Sequence, residues 1–109
     1  MATYAPKVLS DGQLKSAKTT LYTVPTGKVA FVKFMRLFNT AAGNQTCRLY
    51  AKPGSTSRQF AIAVLAQEEA SAIFDNDEVM VLEAGDLIEG SASSDDKVDY
   101  IITGVEKTL

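Results

Sequence analysis

The sequence predicts an all-β domain, a sandwich or a barrel, and three observations carry that expectation. Turn signals recur along the whole 109-residue chain: Ser10-Asp11-Gly12, Pro25-Thr26-Gly27, Ala42-Gly43-Asn44, Pro53-Gly54-Ser55, Asp75-Asn76-Asp77, Glu83-Ala84-Gly85-Asp86 and Ser93-Ser94-Asp95-Asp96. The segments between them are short and rich in Val, Ile, Thr, Tyr and Phe, the side chains that suit a pleated surface. Nor do strand-like and helix-like stretches alternate, as a parallel α/β sheet would need.

In chain order, strands are expected at residues 8–14, 19–24, 28–38, 46–52, 59–64, 71–74, 78–82 and 98–105, with a further one at 87–91. The second is carried by Thr19, Thr20, Tyr22 and Val24, the third by a run from Val29 to Phe38, and the last by Val98, Tyr100, Ile101 and Ile102. Pro25-Thr26-Gly27 reads as a tight hairpin joining the second and third strands, with proline presetting φ and glycine taking the left-handed position. Residues 65–70 have helical composition but are too few for a stable helix, so at most one turn is expected there. Repeats and low-complexity segments are lacking, and the length suits one domain over residues 1–109, with residues 1–20 either a first strand or an N-terminal anchoring extension.

Alternation assigns faces. Cys47, Leu49 and Ala51 should point inward, and Thr46, Arg48, Tyr50 and Lys52 outward. The third strand behaves differently. Strict alternation puts Val29, Phe31, Met35 and Leu37 on one face with Lys33, and Ala30, Val32, Phe34 and Phe38 on the other with Arg36. Neither face is polar, yet a sandwich of this size has only one inner layer. The second face needs cover from another part of the chain or from a neighbouring copy.

Composition narrows the function. Hydrophobic residues make up 46% and charged residues 22%, as in an ordinary globular protein, and no apolar run approaches the ~18 residues of a spanning helix. Net charge −2 with scattered basic residues argues against a nucleic-acid surface and against capture of a membrane. Met1-Ala2-Thr3-Tyr4 lacks a basic start leading into an apolar stretch, and Cys47 stands alone, so synthesis and folding in a cytoplasm are expected.

Histidine is absent, which removes Ser-His-Asp and Cys-His catalysis and the usual zinc ligand sets. Cys47 falls mid-strand on the inward side, the place of an inert thiol. Two acidic clusters, Asp75-Asn76-Asp77-Glu78 and Asp95-Asp96 with Asp99, invite a calcium reading. Neither has the ligand spacing of an EF-hand, and turn formation accounts for both. Gly85 and Gly90 open no helix and make no phosphate fingerprint, and no acidic pair is flanked by the aromatic platform of a sugar-cleaving site. The chain is expected to be no enzyme, with no cofactor and no metal.

Three stretches add a resemblance. Leu21-Tyr22-Thr23-Val24-Pro25-Thr26-Gly27-Lys28, Phe38-Asn39-Thr40 with Leu49-Tyr50, and residues 81–90 followed by 98–106 resemble small virion structural proteins of tailed bacteriophages. The resemblance implies an antiparallel, jelly-roll-like sandwich of about eight strands with little or no helix. It further implies a non-enzymatic virion protein, foremost a capsid decoration or cement protein, with a neck or tail component or a small glycan-binding attachment module as alternatives. Implied partners are other copies of itself, as a homotrimer, and the major capsid or other virion proteins, with no nucleic acid and no membrane. Under this reading Phe34, Arg36 and Phe38 contact a neighbour, Arg36 pairing with a carboxylate at the rim to fix register. The other reading has the phenylalanines filling the chain's own core and Arg36 reaching solvent along its stem.

Overall fold

A computed structural model describes residues 3–74 and 79–109. The described residues form nine strands and no helix: β1 (Thr3–Gln13), β2 (Thr19–Thr23), β3 (Lys28–Asn39), β4 (Gln45–Lys52), β5 (Arg58–Leu65), β6 (Ala70–Ala72), β7 (Met80–Leu82), β8 (Leu87–Ser91) and β9 (Val98–Thr108). They make two antiparallel sheets. The five-stranded sheet runs β1-β9-β3, with β6 and β7 both on the far side of β3, and the four-stranded sheet runs β2-β8-β4-β5. The chain therefore crosses between sheets after nearly every strand, which is the double Greek-key arrangement of a jelly roll.

That topology corrects one local expectation. Pro25-Thr26-Gly27 does form a tight turn, with Lys28 N–H donating to the Pro25 carbonyl at 3.2 Å and Gly27 at φ 80. It joins strands of different sheets, however: β2 pairs with β8, and β3 with β9. The turn is an arch over the end of the sandwich, because β2 and β3 each pair with a strand of a different sheet. Residues 65–70 make a single turn, closed by Glu69 N–H on the Ala66 carbonyl, with Glu68 in the left-handed region.

β1 begins at Thr3, ahead of the expected residue 8. Pro6 and Lys7 disguise it, but proline is tolerated on an edge strand, where its missing N–H faces solvent, and β1 is the edge beyond β9. The strand expected at 78–82 is Met80–Leu82 within the described residues; position 78 and the acidic stretch Asp75-Asn76-Asp77-Glu78 lie outside them.

The face assignment of β3 needs the largest correction. Its register against β9 slips between Val32 and Phe34, so Lys33 is an extra residue and strict alternation fails there. A bulge of this kind sets two residues against one and turns the strand's parity over. Before it the buried residues are Ala30 and Val32; after it they are Met35, Leu37 and Asn39. The inner face of β3 is thus even-numbered and then odd-numbered. Opposite the bulge stands Gly104, where an added Cβ would lie 2.1 Å from the Phe31 carbonyl oxygen, so no side chain fits.

Between the sheets lies one core, built from Leu14, Leu21, Val24, Val32, Met35, Leu37, Leu49, Ile88, Val98 and Ile102 among others. Cys47 and Leu49 point into it and Ala51 is half-buried, as alternation along β4 requires.

Candidate functional site

The outer face of the five-stranded sheet is apolar, and no described element lies over it. β3 contributes Val29, Phe31, Phe34 and Phe38; β9 contributes Ile101, Thr103 and Val105 opposite them; β1 adds Tyr4, Pro6 and Val8 in register with β9. Val81 extends the surface beside Phe31, and Ala70 and Ala72 extend it beside Phe38 and Arg36. Five of the large hydrophobic side chains that remain exposed, Tyr4, Val8, Phe38, Val79 and Val81, belong to this one surface. A contiguous surface of this kind, unlike isolated exposed apolar residues, marks a place of contact.

The bulge is what assembles it. By adding one residue, it turns Phe34, Arg36 and Phe38 onto the same face as Phe31 and gives the inner face to Met35 and Leu37. The three sequence-predicted residues are therefore brought together, on every second position of β3 and away from the core. Phe38 stays 37% exposed, and Phe34 is half-buried under Arg36, whose guanidinium lies 5.4 Å from the ring centroid. Neither phenylalanine fills the chain's own core, and the Arg36 head group rests on an aromatic face as well as meeting solvent.

The charges on this face are Lys33, Arg36 and Lys107 beside Asp11 and Asp99. Lys33 borders a shallow groove of about 270 Å³ lined also by Tyr4, Phe31, Val79 and Val105. Lys107 lies 5.6 Å from the Tyr4 ring centroid. Asp99, paired across from Phe38, accepts a hydrogen bond from the Gln13 side chain at 3.0 Å.

Sequence reasoning missed a buried polar cluster at the opposite surface of the same sheet. Glu106, 3% exposed, accepts hydrogen bonds from the Tyr22 hydroxyl at 2.7 Å and from the Lys7 and Lys28 ammonium groups at 3.1 and 3.4 Å. One carboxylate ties β9 to β1, β2 and β3. Burial opposes its charge, but the Tyr22 hydroxyl and the two lysines outweigh burial and hold the carboxyl below its ordinary range. Burial and the neighbouring carboxylate push the Tyr22 phenol well above its usual range. The signal was present in the alternation: Val98, Ile102 and Glu106 share one phase of β9, so a charge falls at an inward position.

Among the described residues, the acidic candidates Asp95, Asp96 and Asp99 are engaged within the chain. Asp95 accepts the Ser16 N–H at 2.7 Å, which holds its carboxyl below the ordinary range, and Asp96 pairs with Lys15 at 2.6 Å. These bonds tie the loop before β9 to the loop after β1. Burial pushes the Cys47 thiol up to about 11.

Comparison with protein-family models and with curated protein sequences finds no match. Among solved structures, the chain is similar to a Bacillus endospore appendage of the disulfide-linked pilus family, with a TM-score of 0.54 at 12% identity, covering 99% of this chain and 88% of that one. A fainter likeness, TM-score 0.39 at 10% identity, links 98% of the chain to 32% of a chain of infectious bursal disease virus, Gx strain. The first likeness shows the fold.

Proposed function

We propose that the chain is a non-enzymatic structural subunit of a tailed-bacteriophage virion, a decoration or cement protein that holds to the head lattice as a homo-oligomer of three copies. The observation that carries this reading is the uncovered apolar face centred on Phe31, Phe34, Arg36 and Phe38. In such an assembly the aromatic side chains supply the desolvated centre of the contact, and Arg36 pairs with a neighbour's carboxylate at the rim and fixes register. Among the described residues, Asp95, Asp96 and Glu106 are engaged by the chain's own N–H and ammonium groups, which supports a role through surfaces. The endospore appendage of like fold is a disulfide-linked pilus, so this architecture can serve as an assembly unit. Here the one cysteine is wholly buried, so contacts between these 109-residue units would be noncovalent.

Antibody labelling of intact particles in the electron microscope tests the reading. Regularly spaced label over the head is expected. Label confined to the neck or tail would move the same subunit there, and absence from every particle, together with saturable binding on a glycan array, would replace decoration by attachment.

A further inference from the structure

A jelly roll leaves unpaired strand edges, and here they are not equally defended. β1 carries Pro6, Lys7 and a register break at Leu9, all of which discourage pairing, and the side it shares with β2 is bridged by the Ser10 hydroxyl donating to the Leu21 carbonyl at 2.6 Å. β2 is only five residues long and is broken at Leu21. β6 and β7 have three residues each. β5 is eight residues long, and its outer edge pairs with no described strand. Its one break lies at Phe60, and from Ala61 to Val64 the strand is regular and holds neither charge nor proline. Ile62 and Val64, 54% and 60% exposed, stand on its outward face.

We propose that β5 pairs edge to edge with β5 of a second copy, antiparallel about Ala63, joining two four-stranded sheets into one. Charge selects this occupant and this direction. Arg58 opens the strand, and Glu68 and Glu69 follow its end, so antiparallel self-pairing sets each chain's cation against the other's acids, whereas parallel pairing would stack Arg58 on Arg58. The centre follows from side-chain direction. About Ala63, Ile62 lies opposite the partner's Val64 and Arg58 comes near the turn that carries its Glu68 and Glu69; about Ile62, Val64 would oppose Phe60, which packs inward. Strand addition supplies main-chain hydrogen bonds, and the Ile62 and Val64 ribbon covers itself. The contact uses the edge opposite β1 and shares no residue with the Phe34, Arg36 and Phe38 face, so it stands or falls apart from the proposed virion role.

Mixing two single-cysteine variants tests it. I62C and V64C each replace an exposed side chain, Cys47 is buried and unreactive, and S55C on an exposed loop reports chance collision. Directly opposed residues bring their Cβ atoms within disulfide reach, and diagonal ones do not. Under air oxidation, with the variants told apart by mass, the mixed I62C to V64C disulfide should form several-fold faster than either homodisulfide and than S55C. Formation of every cross-link at the S55C rate would overturn the proposal, and so would a dominant I62C homodisulfide.

Discussion

The two sheets are built alike and face the solvent differently. On the four-stranded sheet the outward positions carry Thr20, Thr23, Thr46, Arg48, Lys52, Glu89 and Ser91, with Tyr50 and Leu87 among them and Ile62 and Val64 at the edge. On the five-stranded sheet the equivalent positions carry Tyr4, Val8, Phe31, Phe34, Phe38, Ile101 and Val105, with Asp11, Arg36, Asp99, Thr103 and Lys107 among them. Both sheets use their inner faces for one shared core, so the core does not explain the difference. An outward aromatic surface supplies some cross-strand packing within the monomer, but it leaves apolar area exposed to water. Under the proposed function its use is contact.

The sharpest way to break this comparison is to put a carboxylate on either side of the strand after the bulge. Leu37→Asp should unfold the domain, losing more than about 4 kcal/mol through an unpaired buried charge, while Phe38→Asp should change stability by no more than about 1 kcal/mol. Urea titration of the two variants checks it; without the bulge their effects would be exchanged. Next in size is Gly104→Ala, which forces the backbone apart opposite the bulge and should cost on the order of 3 kcal/mol, read the same way.

Glu106→Gln keeps the shape of the buried cluster but removes the charge that answers Lys7 and Lys28, and should cost on the order of 1 to 2 kcal/mol at neutral pH. The native carboxyl titrates below its ordinary value near 4.5, so the unfolded chain binds the proton more readily. The contribution of Glu106 is therefore complete above that value and fades as pH falls through the lower folded one. Thermal melts between neutral and acid pH should show a smaller loss for Glu106→Gln than for the native chain. Smallest is Arg36→Ala, which removes an exposed contact with Phe34 and should cost about 0.5 kcal/mol in urea titration.

The all-β class and most strands were legible because turn residues and β-branched runs act locally. Cys47 and Leu49 were placed correctly because β4 keeps its alternation through that stretch. The pairing of β2 with β8 was not legible, since a turn such as Pro25-Thr26-Gly27 serves an arch between sheets as well as a hairpin. Nor was the bulge at Lys33: a one-residue slip is decided by the match of β3 to β9, where Gly104 leaves the room, and no signal within β3 announces it. Phe34, Arg36 and Phe38 were nevertheless picked out together, because three alternate residues beyond the slip move as a set. The Tyr22 and Glu106 contact joins residues 84 apart in sequence and could be seen only once the sheets were stacked.

The central claim, that the outward face of the five-stranded sheet joins copies of the chain, is tested most directly by light scattering of the native protein beside Phe38→Asp. The account predicts a native mass several times the 11.7 kDa of one chain, falling in the variant to no more than the two chains that the β5 edge can still join, with the melting temperature little changed. A native mass of one chain at every concentration, or an oligomer that the substitution leaves intact, would contradict it.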